Sequence, residues 1–558
     1  MSTLRPLHKG SAIFSEMFRG YGITHTFHME SILRHTLIEL EKMGIRRVLT
    51  HSEKAAAYMA DGYARCKGGP GLCLCQSVGA ANLAAGLQDA YLSHSPVIAI
   101  TGRKPSSEKY RNTYQEIDHW PLFEPVTKSN ISIENTMELP QALRQAFRTA
   151  VSGAPGPVHL DCPQHQGFLI DTGETDSPII IEERFKQIPP FRPFPDPVDI
   201  AEVVRQIYAA ERPIFIFGLG AVLSKANESL LAMVNALGIP FATTVDGKDI
   251  IQNDHPLCLG PVGSYGRKCA NAVVADADLV IYFGSGVSDQ VTVNWSIPTW
   301  NTKVIQVDID PLELGRNYPN SASIMGDVRA TADAIVNALT GHHTNVSWGK
   351  KATETVNTWR QALVAAQTSN ETPIRVERLC LEISKILPSN GSLVVDTGFS
   401  AIWSASVMEL LRPGQRYFRP AGGSLGWGFP ASLGVKCAAP DRPVVCFTGD
   451  GAFWYHMSEV ETAVRHNINT VTIINNNGGF AQCIPGIKGA YDGTPGRLED
   501  LYLYGPTNFA AICEKMGAFA LRVEKTADIA PAMQAAYASN RPAVVEVVTD
   551  IKSDPLRY

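Results

Sequence analysis

The sequence is short of charge, of paired cysteines and of long apolar runs. Charged residues make up 18% of the 558 positions and hydrophobic ones 45%, against roughly 25% charged in an average soluble protein. Forty-nine basic and 54 acidic side chains leave a net charge of −5 with no block of one sign, so the electrostatic footprint of a nucleic-acid or membrane-surface partner is missing. No stretch approaches the roughly 18 uncharged apolar residues of a membrane helix. The opening MSTLRPLHKG has no apolar run leading to a small-residue cleavage site. The 11 cysteines are an odd count without a CxxC pair and read as buried thiols of a reducing cytoplasm. The expectation is a cytoplasmic protein, with small neutral or anionic ligands left open. Its low charge and large apolar share suit subunits that cover one another, so an oligomer is expected.

At roughly 150 residues per domain the length predicts three or four domains. Short β-branched runs alternate with helical patterns: RRVLT, AAAYMADGYAR, GLCLC, a Gly/Ala-rich helix ending near Tyr91, then SPVIAIT. That alternation implies parallel sheets with crossover helices. After PGPVHLDCP, six prolines between Pro178 and Pro197 mark a linker. A second block runs from RPIFIFGLG through ADLVIYFGSG and KVIQVDID to a helix near residue 340, and residues 342–372 read as the next connection. A third contains GSLVVDTG, RPVVCFTGDG, TVTIINNN and PAVVEVVTD. The predicted fold is α/β with three doubly wound domains, over 1–180, 198–342 and 372–558.

The most informative constellation is in the third block. Gly449, Asp450 and Gly451 follow the strand RPVVCFT, and after 24 residues (452–475) come Asn476 and Asn477 at the end of a second strand. In an open α/β sheet such loops lie at the carboxyl ends of the strands, where ligands bind. A carboxylate, a side-chain amide and a nearby carbonyl are hard oxygen donors suited to Mg²⁺ carried in with phosphate oxygens, and flanking glycines let backbone approach the phosphates. Each piece alone reads as an ordinary turn; their spacing points to a diphosphate and metal site.

The pattern resembles the thiamine-diphosphate enzymes of the acetolactate synthase and pyruvate oxidase group. The resemblance implies Asp450 and Asn477 as side-chain metal ligands and Gly479 as the carbonyl ligand. In AGGSLGWGFPASLGVKCA it implies Leu425 as the hydrophobe under the cofactor and Gly423 as the carbonyl acceptor for its amino group. In THSEKAAAYMADGYAR it implies Glu53 as the carboxylate that activates the cofactor through its pyrimidine ring, although position alone fits a first-turn glutamate favoured by the helix dipole. Glu53 and Asp450 belong to different domains, and the resemblance implies that they meet across the interface of a homodimer, commonly doubled to a homotetramer.

Three segments bear on the reaction. THTFHMESIL departs from acetolactate synthases over Thr26, Phe27, His28, Met29 and Glu30 and is similar to benzaldehyde lyase, with His28 as its histidine. NTYQEIDHWPLFEPVTK holds Gln115, matching the glutamine that faces the reacting centre in lyases and synthases. CQSVGAAN replaces a Ser-Gly-Pro-Gly turn before Asn82, so an unusual pocket wall is expected. A near-neutral base beside a neutral amide suits the handling of a hydroxyl proton. In the central domain GSGVSDQVTV carries Gly286 and Gln290 in the arginine places of flavin-binding synthases, which speaks against FAD. The implied function is a Mg²⁺-dependent carboligase and lyase acting on a 2-oxo acid, aldehyde or acyloin through an acyl-carbanion (enamine) intermediate. The alternatives are a 2-hydroxyacyl-CoA lyase or oxalyl-CoA decarboxylase, which needs a nucleotide seat after Gly218-Leu219-Gly220, and a non-catalytic scaffold.

Overall fold

A computed structural model describes residues 6–29, 32–164, 166–341 and 346–558. Three six-stranded parallel sheets organise the chain. The first contains β1 (His25–His28), β2 (Arg46–Leu49), β3 (Gly71–Gln76), β4 (Val97–Arg103), β5 (Ser129–Ser132) and β6 (Val158–Pro163), in the order β2-β1-β3-β4-β6-β5. The second contains β7 (Pro213–Phe217), β8 (Phe241–Thr243), β9 (Cys258–Pro261), β10 (Leu279–Phe283), β11 (Lys303–Asp308) and β12 (Ala322–Met325), ordered β9-β8-β7-β10-β11-β12. The third contains β13 (Ser392–Val395), β14 (Arg416–Phe418), β15 (Val444–Gly449), β16 (Val471–Asn476), β17 (Phe519–Val523) and β18 (Ala543–Val548), ordered β14-β13-β15-β16-β18-β17. Central strands such as β4 and β7 are buried along their whole length, as near-continuous apolar runs covered by helices on both faces must be.

The first and third sheets share one strand order. In both, the second strand lies on one side of the first and the third strand on the other, which opens a crevice between the first and third strands at their carboxyl ends. The central sheet has the dinucleotide-fold order, with its own crevice between β7 and β10.

The first and third domains are locked through helices α1 (Glu53–Lys67) and α2 (Gly428–Ala438). A Cβ on Gly62 would lie 2.2 Å from the Ala431 carbonyl oxygen, and one on Gly434 1.9 Å from that of Met59. The two backbones therefore touch, and only glycine fits. Beside this crossing Asp61 accepts two 2.7 Å hydrogen bonds from Arg65 and one of 2.8 Å from Trp427 Nε1, so its buried charge is paired.

One connection, and the burial of the cysteines, differ from their sequence reading. The stretch after 342 contains a 22-residue helix, Val346–Gln367, with residues 342–345 outside the described set. Trp348, Ala352, Val356, Trp359 and Leu363 recur at helical spacing and are buried, and Trp348 Nε1 donates to the Pro213 carbonyl at 2.9 Å. The polar residues between them hid this stripe. The cysteines also divide: nine are buried, but Cys66 is half-buried and Cys483 exposed, because burial follows the local fold rather than residue type. Among the described residues no helix is long and apolar enough to cross a membrane.

Candidate active site

Both outer crevices carry residues singled out from the sequence. In the first domain β1 ends at His28, buried and paired in register with Leu49 of β2 and Leu74 of β3. Thr50, just beyond β2, donates its amide to the His28 carbonyl at 3.0 Å. The turn that follows ends on Ser52, whose Oγ accepts the Ala55 amide at 3.1 Å and caps α1. Glu53 is thereby the first residue of the helix. Glu30, in the same run as His28, lies outside the described residues.

The Glu53 carboxylate is half-buried and held on two sides. Asn82 Nδ2 donates to Oε2 at 3.1 Å. A Cβ on Gly79 would sit 2.5 Å from Oε1, so the glycine makes room for the carboxylate. Gly79 closes the 3₁₀ turn Ser77–Gly79 after β3, and Asn82 lies in the helix that follows.

The same turn holds the Gln115 loop. Ser77 Oγ donates to the Gln115 carbonyl at 2.8 Å. Gln115 has φ of +61°, a left-handed conformation rare for a residue with a Cβ. Its side-chain Oε1 is buried and has no hydrogen-bond partner among the described residues. Glu53, Asn82 and Gln115 therefore meet around one short turn, and His28 shares their sheet edge.

In the third domain Asp450 follows β15 and opens the short helix Asp450–Phe453. Its Oδ1 accepts the Gly451 amide at 2.8 Å, and its Oδ2 accepts those of Asn477 at 3.1 Å and Gly478 at 2.7 Å. Burial raises the Asp450 carboxyl, with Tyr504 and these amides pulling it back. Asn477 Oδ1 accepts the Gly479 amide at 3.2 Å, and the Gly479 carbonyl accepts that of Ala481 at 3.1 Å. Asn476 turns away to donate to Glu546 on β18 at 2.6 Å, which leaves Asn477 as the member of the pair beside Asp450. The hard oxygens of 450, 477 and 479 thus lie in one hydrogen-bonded cluster and keep unshared lone pairs. Gly449 ends β15 at the mouth of this crevice, and a Cβ on Gly451 would strike the Phe480 ring at 2.5 Å.

Across the crevice Gly423 has φ of +71° and Leu425 is half-buried. Their turn is anchored by a residue the sequence reading did not single out. Asp396, directly after β13, accepts the Gly426 amide at 3.0 Å and that of Gly428 at 2.8 Å. Burial lifts its carboxyl to about 6 against these amides. The signal available in the sequence was an acid ending the strand GSLVV, the partner of the strand that Asp450 follows.

Within one chain the two halves are joined by hydrogen bonds that, among the described residues, do not include the Glu53 carboxylate. Gly422 donates its amide to Asp89 at 2.6 Å, two helical turns and about 10 Å beyond Asn82. The start of α1 is tied instead to the helix Glu459–His466 and the turn before it: the His51 amide meets Glu459 at 3.0 Å, and Ser52 Oγ meets His456 Nδ1 at 3.5 Å. Among the described residues no hydrogen bond joins Glu53 to Gly423, Leu425, Asp450 or Asn477.

The central crevice, about 550 Å³, opens among the ends of β7, β10 and β11. Its glycines serve the fold. Gly218 and Gly220 donate their amides to the Phe283 and Gly284 carbonyls at 2.9 Å each, and a Cβ on Gly218 would strike the Gly284 oxygen at 2.2 Å. The lining includes Asp289, Asp308, Asp310 and Glu313. Its guanidinium, Arg419, is paired with Asp246 at 2.6 and 2.9 Å and bonded to Gln290 at 2.7 Å.

Comparison with known proteins covers all three domains. Family models for the thiamine pyrophosphate enzyme match in their N-terminal TPP binding domain over residues 8–122, their central domain over 200–335 and their C-terminal TPP binding domain over 396–547. The chain is 32% identical over 524 residues to a probable acetolactate synthase large subunit of Methanococcus aeolicus, covering 91% of this chain and 86% of the relative. It is 32% identical over 484 residues to an acetolactate synthase of Arthrospira platensis, covering 84% and 82%. With the acetolactate synthase isozyme 1 large subunit of Escherichia coli K12 it shares 30% over 443 residues, covering 78% and 75%.

Proposed function

The chain belongs to the thiamine pyrophosphate enzymes of the acetolactate synthase group, and from that premise we propose a Mg²⁺-dependent carboligase and lyase that makes or breaks the carbon–carbon bond beside a carbonyl of 2-oxo acids, aldehydes or acyloins. The observation that carries the reading is the seat of Glu53. Its carboxylate is fixed by Asn82, pressed against a glycine, and joined through one turn to Gln115.

The residues fit the cofactor. The oxygens of Asp450, Asn477 and Gly479 suit a hard cation bridging to a diphosphate. Gly423 in its left-handed turn and Leu425 beside it offer a carbonyl and an apolar support. When bound, thiamine diphosphate supplies the electron sink for carbanion chemistry. Glu53 would hold a proton between its carboxyl oxygen and the pyrimidine nitrogen. The Gln115 amide would bind an oxygen of the substrate, and His28, on the same edge, would take or return a hydroxyl proton in the manner of benzaldehyde lyase.

We place the complete site between two copies of the chain, in a homodimer or homotetramer of the cytoplasm. An apolar rim at the first crevice supports this, where Tyr110 is 95% exposed, Tyr114 76%, Trp120 47% and Val78 46%; monomers rarely leave such a patch uncovered. FAD and CoA fit poorly. The Gly218 and Gly220 amides that would cradle a diphosphate are spent on carbonyls of the fold, and acids outnumber the one paired guanidinium of the crevice, so the acyl-CoA alternatives are disfavoured. The retained Glu53, Asp450, Asn477 and Gln115 argue against a silent scaffold.

Glu53→Gln tests the reading. The variant should keep its fold and metal-dependent cofactor retention while slowing exchange of the thiamine diphosphate C2 proton. Exchange at the unaltered rate would remove Glu53 from the mechanism.

A further inference from the structure

Behind the Gln115 loop lies a buried polar chain that reaches across the first sheet. Asp161, on β6, is held by Arg103 Nε at 3.0 Å and meets His119 Nδ1 at 3.1 Å. His119 is fully buried, and its Nε2 lies 3.2 Å from Ser77 Oγ, which donates onward to the Gln115 carbonyl. Thr101 Oγ1 sits between His119 Nδ1 at 2.8 Å and His159 Nε2 at 2.7 Å. His159 is stacked on Phe123 at 3.7 Å and bonded to Asn130 at 2.9 Å.

Among the described residues, His119, His159 and Asp161 are the one group of histidine, cysteine and acid side chains close enough to hold a metal ion. The Thr101 hydroxyl already bonds both histidines there, so the cluster is a complete hydrogen-bond network. Its direction follows from donor counting. A serine hydroxyl has one hydrogen, and the Gln115 carbonyl, which only accepts, takes it; His119 Nε2 then donates to Ser77, and Nδ1, which faces a carboxylate that only accepts, donates to Asp161, so both ring nitrogens carry a hydrogen. Asp161 stands on the far side of the ring, where a carboxylate orients an imidazole.

The chain ends on a strained residue. A left-handed glutamine costs of order 1 kcal/mol and persists only when its surroundings enforce it. Ser77 is the polar side chain that grips its carbonyl, and the Gln115 side-chain oxygen is left buried without a protein partner among the described residues.

We propose that Asp161, His119 and Ser77 form a positioning relay that fixes the left-handed Gln115 against the Ser77–Gly79 turn and holds its amide open for the oxygen of a carbonyl or 2-hydroxy ketone substrate. The proposal rests on the functional reading above for the substrate, but not for the relay itself. None of the three residues need touch the substrate.

The test combines a measurement that needs no activity with one that does. In the full-length protein, Ser77→Ala and His119→Leu should each raise amide hydrogen exchange over residues 110–118 about five- to tenfold, the loss expected for one hydrogen bond, with the sheet strands unchanged. His119→Gln, which restores an N–H donor towards Ser77, should recover most of the protection. With pyruvate as donor probe, Ser77→Ala, His119→Leu and Gln115→Ala should lower kcat by comparable factors of about 10 to 100. Ser77→Ala combined with Gln115→Ala should fall no further than the worse single variant. Unchanged exchange over 110–118, no recovery by His119→Gln, or multiplying losses in the double variant would overturn the relay. Failure of the unaltered protein to exchange the cofactor C2 proton would overturn the functional reading instead, and the exchange of 110–118 would still judge the relay.

Discussion

Replacing Gly79 by Ala is the most local perturbation of the proposed chemistry. The new methyl carbon would lie 2.5 Å from Glu53 Oε1, 2.7 Å from its Cγ and 2.8 Å from its Cδ. All three atoms belong to a side chain that can yield, so the carboxylate should retreat by about 1 Å to reach ordinary van der Waals contact, stretching the 3.1 Å bond from Asn82. Gly79 has φ of −71° and ψ of −11°, which alanine adopts freely, so the fold should be intact or gain up to ~1 kcal/mol from the stiffer unfolded chain. A 1 Å displacement of a reacting group costs on the order of 100-fold in rate. The assay is deuterium exchange at C2 of thiamine diphosphate, quenched in acid and read by proton NMR, beside a circular-dichroism melt. Exchange within twofold of the unaltered protein, with the fold intact, would refute the claim that this seat aims Glu53.

Gly434→Ala should behave oppositely, because its methyl would meet the Met59 backbone oxygen at 1.9 Å; a loss of roughly 1–3 kcal/mol or more is expected in denaturant unfolding, whereas Gly486→Ala, with nothing within 4 Å, should be harmless. Equal midpoints for the two variants would remove the helix crossing as the lock between domains. Asp450→Ala should lose Mg²⁺-dependent retention of cofactor, and mixing it with Glu53→Gln protein should restore part of the turnover that each lacks, because mixed dimers regain one intact site. No recovery in mixtures shown to exchange subunits would place the site within one chain. Burial raises the Asp396 carboxyl from 3.8 to about 6, so its proton is held more tightly in the fold than in the unfolded chain. Its contribution to stability is full below pH 4 and is lost as pH rises to 6, by on the order of 3 kcal/mol. The stability difference between the cofactor-free protein and Asp396→Asn should carry that slope; a flat difference would show that the amides outweigh burial.

What the sequence disclosed depended on contiguity. Asp450 and Asn477 stand at the ends of two adjacent β-branched strands, so the crevice was visible as spacing. Glu53 was visible through the resemblance carried by THSEKAAAYMADGYAR, since its helix start alone fits an ordinary first-turn glutamate. The connections between these pieces were hidden because they are tertiary. Gly62 and Gly434 read only as weak helix formers, and their purpose appears when the Met59 and Ala431 carbonyls lie against them. Asp61, Arg65 and Trp427 form one network from positions 366 residues apart at its ends. His119 and Asp161 are separated by 42 residues and carry no shared motif. The helix Val346–Gln367 escaped notice because polar residues separate its buried tryptophans. The Gly218-Leu219-Gly220 turn was ambiguous in sequence, since a glycine that admits a phosphate and one that admits a neighbouring carbonyl look alike until the Gly284 oxygen is in view.

The central claim, that this chain activates thiamine diphosphate toward carbonyl carbons, is tested most directly by acid-quench proton NMR of the cofactor after mixing the protein with Mg²⁺, thiamine diphosphate and pyruvate. A covalent pyruvate-derived adduct of the cofactor, diminished in Glu53→Gln, is the expected result. Unmodified cofactor alone, with pyruvate and with an acyloin offered in its place, would contradict the account.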